Sequence, residues 1–170
     1  MGIKTENDIS PEAAEIPERH RKIGPLARRF FQVYLGLIVE VLEPFDLDPA
    51  FYSVLVELDD QPGIDQRRLG QALGIDRTTI GGIVDELEQR GLVDRAIHPD
   101  DRRARVLKLT ENGNALRLKI RPHMLAAQER FVAPLSPAER PVFLDMLYRV
   151  VASSLDREVT GGFRRRTRKK

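Results

Sequence analysis

From Lys22 to Leu42 apolar residues recur at three- and four-residue intervals along two stripes. Leu26, Phe30, Val33, Leu37 and Val41 make one, and Ala27, Phe31, Tyr34, Ile38 and Leu42 make the other. Residues at that spacing share a helix face, so the pattern predicts a helix with two apolar faces, each needing a partner. Asp48-Pro49 then offers a capping acceptor followed by proline at the first helical position, which predicts a second helix through Ala50–Leu58, ended by Gln61-Pro62-Gly63. A short helix is expected from about Asp65, with Leu69, Ala72 and Leu73 inward and Gly74 at its stop. Asp76 caps the next helix, which runs to Gln89 or Arg90 before Gly91.

Beyond Gly91 the period shortens. Residues 92–97 and 104–109 are strand candidates around the charged, turn-forming stretch 98–103, which makes a β-hairpin with a loose tip. Thr110 caps a long helix reaching about Val132, where Pro122 is expected to kink or break it. Ser136-Pro137-Ala138-Glu139 reads as a capping box opening a final helix through Phe143, Leu147, Val150 and Val151. Residues 1–20 are polar, contain Pro11 and Pro17, and read as a mobile arm.

Composition narrows the classes. In 170 residues, 41% hydrophobic and 32% charged, there is enough apolar material for one compact domain with helical extensions. The absence of cysteine removes disulfides, thiolate nucleophiles and cysteine-held metals, and is compatible with a reducing cytosol. No apolar run approaches the roughly 20 residues of a membrane span, and the first residues lack a secretory profile, so a cytoplasmic protein with no membrane association is expected. The net charge is +2, yet Arg164 to Lys170 carry six positive side chains; removing them leaves −4. Affinity for nucleic acid must therefore come from local patches, because phosphate attraction fades over roughly 8–10 Å in ordinary salt.

One constellation stands out. On the helix capped by Asp76, Ile80, Ile83, Val84 and Leu87 make a narrow apolar stripe; at about 100° per residue, Thr78, Gly82, Asp85 and Gln89 lie opposite, with Gly81 beside them and Arg77 at the first turn. Two glycines inside a helix cost roughly 1 kcal/mol each relative to alanine, so the pair asks for close approach of another backbone. A DNA groove is one candidate and packing against another helix is the other. Arg77, Thr78 and Thr79, at the start of the helix, can donate to phosphates or base edges. A short helix, a glycine turn and a second helix, followed by a hairpin bearing Arg95, Arg102, Arg103 and Arg105, form a winged helix-turn-helix. The arginine-bearing hairpin tip suits the narrow minor groove, while the preceding helix occupies the major groove.

The runs Leu69 to Ile80, Leu87-Glu88-Gln89-Arg90-Gly91-Leu92-Val93, Asp101-Arg102-Arg103 and Leu109-Thr110-Glu111-Asn112-Gly113 resemble, in order and spacing, the core of the MarR (multiple antibiotic resistance regulator) family over about residues 25–155. The resemblance implies a mainly α fold with a small β-hairpin wing, and a homodimer joined by N- and C-terminal helices. On that scheme residues 21–47 and 110–157 are the dimerisation region, 48–109 the DNA-binding lobe, and 158–170 a basic tail. It also implies a transcription regulator, expected to be a repressor on a palindromic double-stranded DNA operator, with Arg77, Thr78, Thr79, Gly81, Gly82, Arg102, Arg103 and Arg105 at the DNA. Many members carry a basic side chain near the positions of Gly82 and Glu86; here base readout shifts toward Arg77, Thr78 and Thr79 or toward DNA shape.

MarR-like proteins release DNA on binding small aromatic molecules, and the Thr-Thr-Ile-Gly-Gly variant here resembles regulators of aromatic-acid catabolism. The implied effector is an aromatic carboxylate or its coenzyme A thioester, with no cofactor. Phe31, Tyr34, Phe51 and Tyr52, with Phe30, are candidates to line its cleft, and Arg28, Arg29 and Arg121 to meet its acid group; for any one aromatic, core or dimer packing is the competing role. A winged-helix protein-interaction module, or a nonspecific DNA binder without effector, is the alternative. An enzyme has little support, since His20, His98 and His123 are scattered and no phosphate loop or nucleophile elbow follows a strand.

Overall fold

The computed structural model describes residues 22–97 and 105–155. The proposed arm over 1–20, the hairpin tip with His98, Arg102 and Arg103, and the basic tail lie outside the described residues. The chain divides into two units, Met1–Gly36 and Leu37–Lys170. In the first, the described residues are the N-terminal part of helix α1 (Ile23–Leu42), on which Phe31 is exposed.

In the second unit α1 ends with Ile38 and Leu42 buried. Pro44 opens a 3-10 turn (Glu43–Phe45), and Asp46 closes it in the left-handed conformation that short polar side chains tolerate. Helix α2 (Pro49–Asp60) starts where Asp48 accepts the Ala50 amide at 2.8 Å. Helix α3 (Gln66–Leu73) starts where Asp65 accepts the Arg68 amide, and it stops at Gly74, whose φ of 65° suits a residue without Cβ. Helix α4 (Arg77–Gln89) follows after Asp76.

Strands β1 (Val93–Ile97) and β2 (Arg105–Leu109) pair antiparallel with Arg95 opposite Leu107. On the other side of β2, the Leu107 amide donates to the Ile64 carbonyl and the Gly63 amide to the Leu107 carbonyl, so the hairpin is anchored beyond its own ladder. Helix α5 (Glu111–Val132) continues unbroken through Pro122, although proline cannot donate to the carbonyl of Leu118 one turn earlier. Helix α6 (Glu139–Leu155) begins after Ser136, whose amide donates to the Glu139 carboxylate at 2.7 Å; the Ser136 hydroxyl first, and that amide next, hold the Glu139 carboxyl below its ordinary range.

The core gathers Leu42, Val54, Leu55, Leu58, Leu69, Ile80, Val84, Leu87, Val93, Leu107 and Ile120, all essentially inaccessible to solvent. Each such aliphatic side chain stabilises the fold by about 1.5–3 kcal/mol relative to leaving it in water. One inward residue is corrected: Ala72 is exposed, and Gly70 is buried instead. A Cβ on Gly70 would stand 2.9 Å from the Ile75 carbonyl oxygen and 3.2 Å from Ile80 Cγ2, so α3 turns its glycine toward α4 and rotates Ala72 out.

Candidate nucleic-acid interface

The α3–α4 elbow is built from backbone closure. Past Gly74 the Ile75 amide returns to the Gly70 carbonyl at 2.8 Å, and Asp76, extended, ends the turn. One Asp76 oxygen accepts the amides of Thr78 (3.0 Å) and Thr79 (3.1 Å), and the other accepts the Thr79 hydroxyl at 2.6 Å. The Thr79 hydroxyl first, and its amide next, draw the Asp76 carboxyl below its ordinary pKa by bonding to the ionised form. The start of α4 thus spends two amides and one hydroxyl on its own cap, and Thr79, expected to donate to DNA, has its proton engaged.

Ile80, Ile83, Val84 and Leu87 are buried, as the apolar stripe predicts, while Arg77, Thr78, Gly82, Asp85 and Gln89 are exposed. The two glycines part company. A Cβ on Gly81 would meet the side-chain nitrogen Nε2 of Gln66 at 3.2 Å, whereas one on Gly82 meets nothing within 4 Å among the described residues. Packing against another helix among the described residues therefore does not account for Gly82. Glu86, at the other position where the resemblance implies a basic residue, accepts Arg90 at 2.5 Å; Arg90 also donates to the Asp46 carbonyl and lies over the Phe51 ring at 5.6 Å. That side chain ties the end of α4 to the turn before α2.

The arginines of the hairpin also divide. Arg105 is exposed at the end of the ladder, opposite Ile97. Arg95, expected to add to the basic wing, is half-buried and donates one guanidinium nitrogen to Asp85 and the other to Glu88. The hydrogen bond to Asp85, with the charges of both carboxylates, raises its pKa against the opposing effect of burial. The spacing of Asp85 and Glu88, one turn apart at the edge of α4, was the only signal of this pairing in the sequence.

Where β2 leads into α5, Thr110 accepts the Gly113 amide at 2.9 Å and donates its hydroxyl to the Gly91 carbonyl at 2.7 Å. The Leu92 carbonyl accepts the Thr110 amide and sits 2.0 Å from where a Gly113 Cβ would stand. The Leu-Thr-x-x-Gly run is thus a lock between the end of α4 and the start of α5. In the same region, Arg117 is nearly enclosed between Asp59 and Asn114, each 2.9 Å from it, and joins α5 to α2.

The proposed ligand residues fall in both units. Arg28, Arg29, Phe31 and Tyr34 belong to Met1–Gly36, and Phe51, Tyr52 and Arg121 to the remainder. Tyr52 is buried, Arg121 is exposed, and Phe51 lines a shallow hollow of about 420 Å³ edged by Glu43, Asp46, Asp48, Glu86 and Arg90. Four carboxylates and one guanidinium edge that hollow.

A model of the MarR family matches residues 45–104, from the turn before α2 to the hairpin. The HTH-type transcriptional repressor NicR of Pseudomonas putida is 30% identical over 132 residues, which is 78% of this chain and 84% of NicR. The chain belongs to the MarR family. Among solved MarR-type neighbours, the transcriptional repressor CouR bound to a 23-mer DNA duplex superposes with a TM-score of 0.74 at 30% identity, covering 81% of this chain and 97% of CouR. BpsR of Bordetella bronchiseptica, whose DNA binding is regulated by 6-hydroxynicotinic acid, gives 0.72 at 27% identity, covering 78% and 94%. A relative from Thauera aromatica is 33% identical over 102 residues, or 60% of this chain and 61% of that protein's length. A MarR-family transcriptional regulator, not an enzyme, is thus the class. Among the described residues no helix is long and apolar enough to cross a membrane.

Proposed function

We propose that this MarR-family regulator is a homodimeric repressor that reads a palindromic operator with α4 and the hairpin, and leaves it when an aromatic acid or its coenzyme A thioester binds. The observation that carries the reading is the bare outer face of α4, where Thr78 and Gly82 stand exposed opposite the buried stripe, with Arg77 exposed at the first turn. Arg77 and Thr78 are the base and phosphate donors, Gly81 and Gly82 let the groove floor approach, Thr79 holds the cap, and Arg105 with Arg102 and Arg103 serves the minor groove.

Residues 48–109 form the reading head, and 21–47 with 110–157 the dimerisation region. Support for self-association comes from α6, where Val142, Met146, Tyr148 and Val150 are more than half exposed. Two heads related by a two-fold axis meet successive major grooves about 10 base pairs apart. The effector class rests on the aromatic acid that regulates BpsR, and on Arg28, Arg29, Phe31, Tyr34, Phe51, Tyr52 and Arg121 as its candidate contacts. An effector that favours a non-binding spacing of the heads by about 1.4 kcal/mol lowers DNA affinity only about tenfold, so useful release takes several times that energy.

Fluorescence anisotropy with the DNA flanking its own gene, against random duplex, tests the reading. A preference of roughly 10³-fold or more is expected of a sequence-specific regulator. Equal affinity for both duplexes overturns it. Calorimetry with aromatic carboxylates and their thioesters tests the effector, and no binding by either class sinks that part alone.

A further inference from the structure

Beside the proposed reading face, Arg95 is held by two carboxylates at once. It stands on β1, next to the edge of α4, and its two terminal nitrogens go to Asp85 and Glu88. Asp85 lies on the outer face with Thr78 and Gly82, and more than half of its side chain is exposed, against about a quarter of Arg95. Two carboxylates on one guanidinium leave the cluster with a net negative charge beside the surface that would meet DNA. A cation in that place is the usual way to gain phosphate affinity without sequence information.

We propose that Asp85 and Glu88 withhold Arg95 from DNA phosphates, so that this cluster is a determinant of operator specificity that works by suppressing nonspecific binding. The inference rests on α4 being the DNA-reading helix. Its physical logic is competition. Phosphate affinity is gained equally on every duplex, so each cation freed at the interface raises random binding along with operator binding and narrows the ratio between them. A carboxylate near phosphates also repels the backbone of a wrongly seated duplex, where correct seating offers Arg77 and Thr78 base edges in return. The bare first half of α4 is then the part that enters the groove, and its acidic second half stays off the strand.

The test compares wild type, Asp85→Asn/Glu88→Gln and the triple variant that adds Arg95→Gln, with melting curves confirming that each folds. Binding to operator and to random duplex is measured from low to high salt. In the double variant the slope of log affinity against log salt on random DNA steepens by roughly 0.9 for each freed phosphate contact. Random binding tightens severalfold at low salt, and the operator-to-random ratio falls. The triple variant returns the slope to the wild-type value. An unchanged slope in the double variant overturns the proposal, and so does a steeper slope that survives in the triple variant, since that points to lost negative charge rather than to Arg95. A shift in preference at one base position without a slope change also overturns it, making Asp85 a base reader. Wild-type protein that prefers no duplex refutes the parent reading instead, independently of the variants.

Discussion

The carbonyl oxygen of Leu92 occupies the space in which any side chain at position 113 would begin, 2.0 Å from an ideal Cβ on Gly113. The carbonyl carbon and Cα of Leu92 stand at 2.9 and 3.3 Å, so the obstruction is main chain and cannot rotate aside. Thr110 fastens the same two segments by its hydroxyl and amide. Gly113→Ala is expected to force α5 away from the turn after α4 and to cost at least the roughly 1–3 kcal/mol typical of overpacking, read from denaturant unfolding. Wild-type stability in this variant would mean that the two segments separate freely, and the lock described here would have no energetic content.

Gly82 makes the opposite case. Its added Cβ would meet nothing within 4 Å among the described residues, so Gly82→Ala should stabilise the folded protein by about 0.5–1 kcal/mol through helix propensity. If the groove floor closes on this position, the same change weakens operator binding. Gain in one assay with loss in the other separates a recognition glycine from a tolerated one; a variant that is more stable and binds the operator as before removes Gly82 from the interface.

The cap of α4 carries a pH signature. Asp76 is held below the ordinary carboxyl pKa chiefly by the Thr79 hydroxyl and then by the Thr79 amide. A carboxyl depressed in the folded state contributes stability that is fully present above its unfolded pKa of about 3.9, and that is lost as pH falls through the lower folded value. Protection of the Thr78 and Thr79 amides, measured as exchange relative to the unstructured chain at the same pH, should therefore fall in acid below about pH 4. Asp76→Asn, which still offers a capping oxygen but does not titrate, should flatten that dependence. Identical acid profiles in the two proteins would assign the acid response elsewhere, with Glu139 at the start of α6 the next carboxyl to test.

These positions also mark what could be read without coordinates. The starts of α2, α3 and α4 were legible because Asp48, Asp65 and Asp76 each bond an amide two or three residues on, a relationship contained within a few positions of the chain. The buried stripe from Ile80 to Leu87 was legible from helical spacing alone. Ala72 was misplaced because spacing on so short a helix does not say where the helix is pressed hardest, which the contact between Gly70 and Ile80 decides. Arg95 was grouped with the wing cations because its destiny depends on how β1 passes α4, a relationship between separate elements. The hydroxyl of Thr79 was offered to DNA because the amides and the hydroxyl compete for Asp76, and only geometry shows that Asp76 serves them all.

The same contrast bears on α6, whose apolar residues are periodic in sequence but not buried in this chain. Val142 is 52% exposed and Met146 57%, four residues apart and so on one helical face. An apolar face of that kind suits contact with another surface, and a second copy of the chain brings an identical face through a two-fold axis. Val142→Glu/Met146→Glu should therefore shift the protein toward monomer in sedimentation, since four carboxylates would meet across the axis. Operator affinity should fall far more than affinity for a half-site, because linking two heads is what makes the second contact effectively intramolecular. The helical content of the variant should stay near wild type, as neither side chain is part of the core. A variant that remains dimeric would place the two-fold contact elsewhere than on this face of α6.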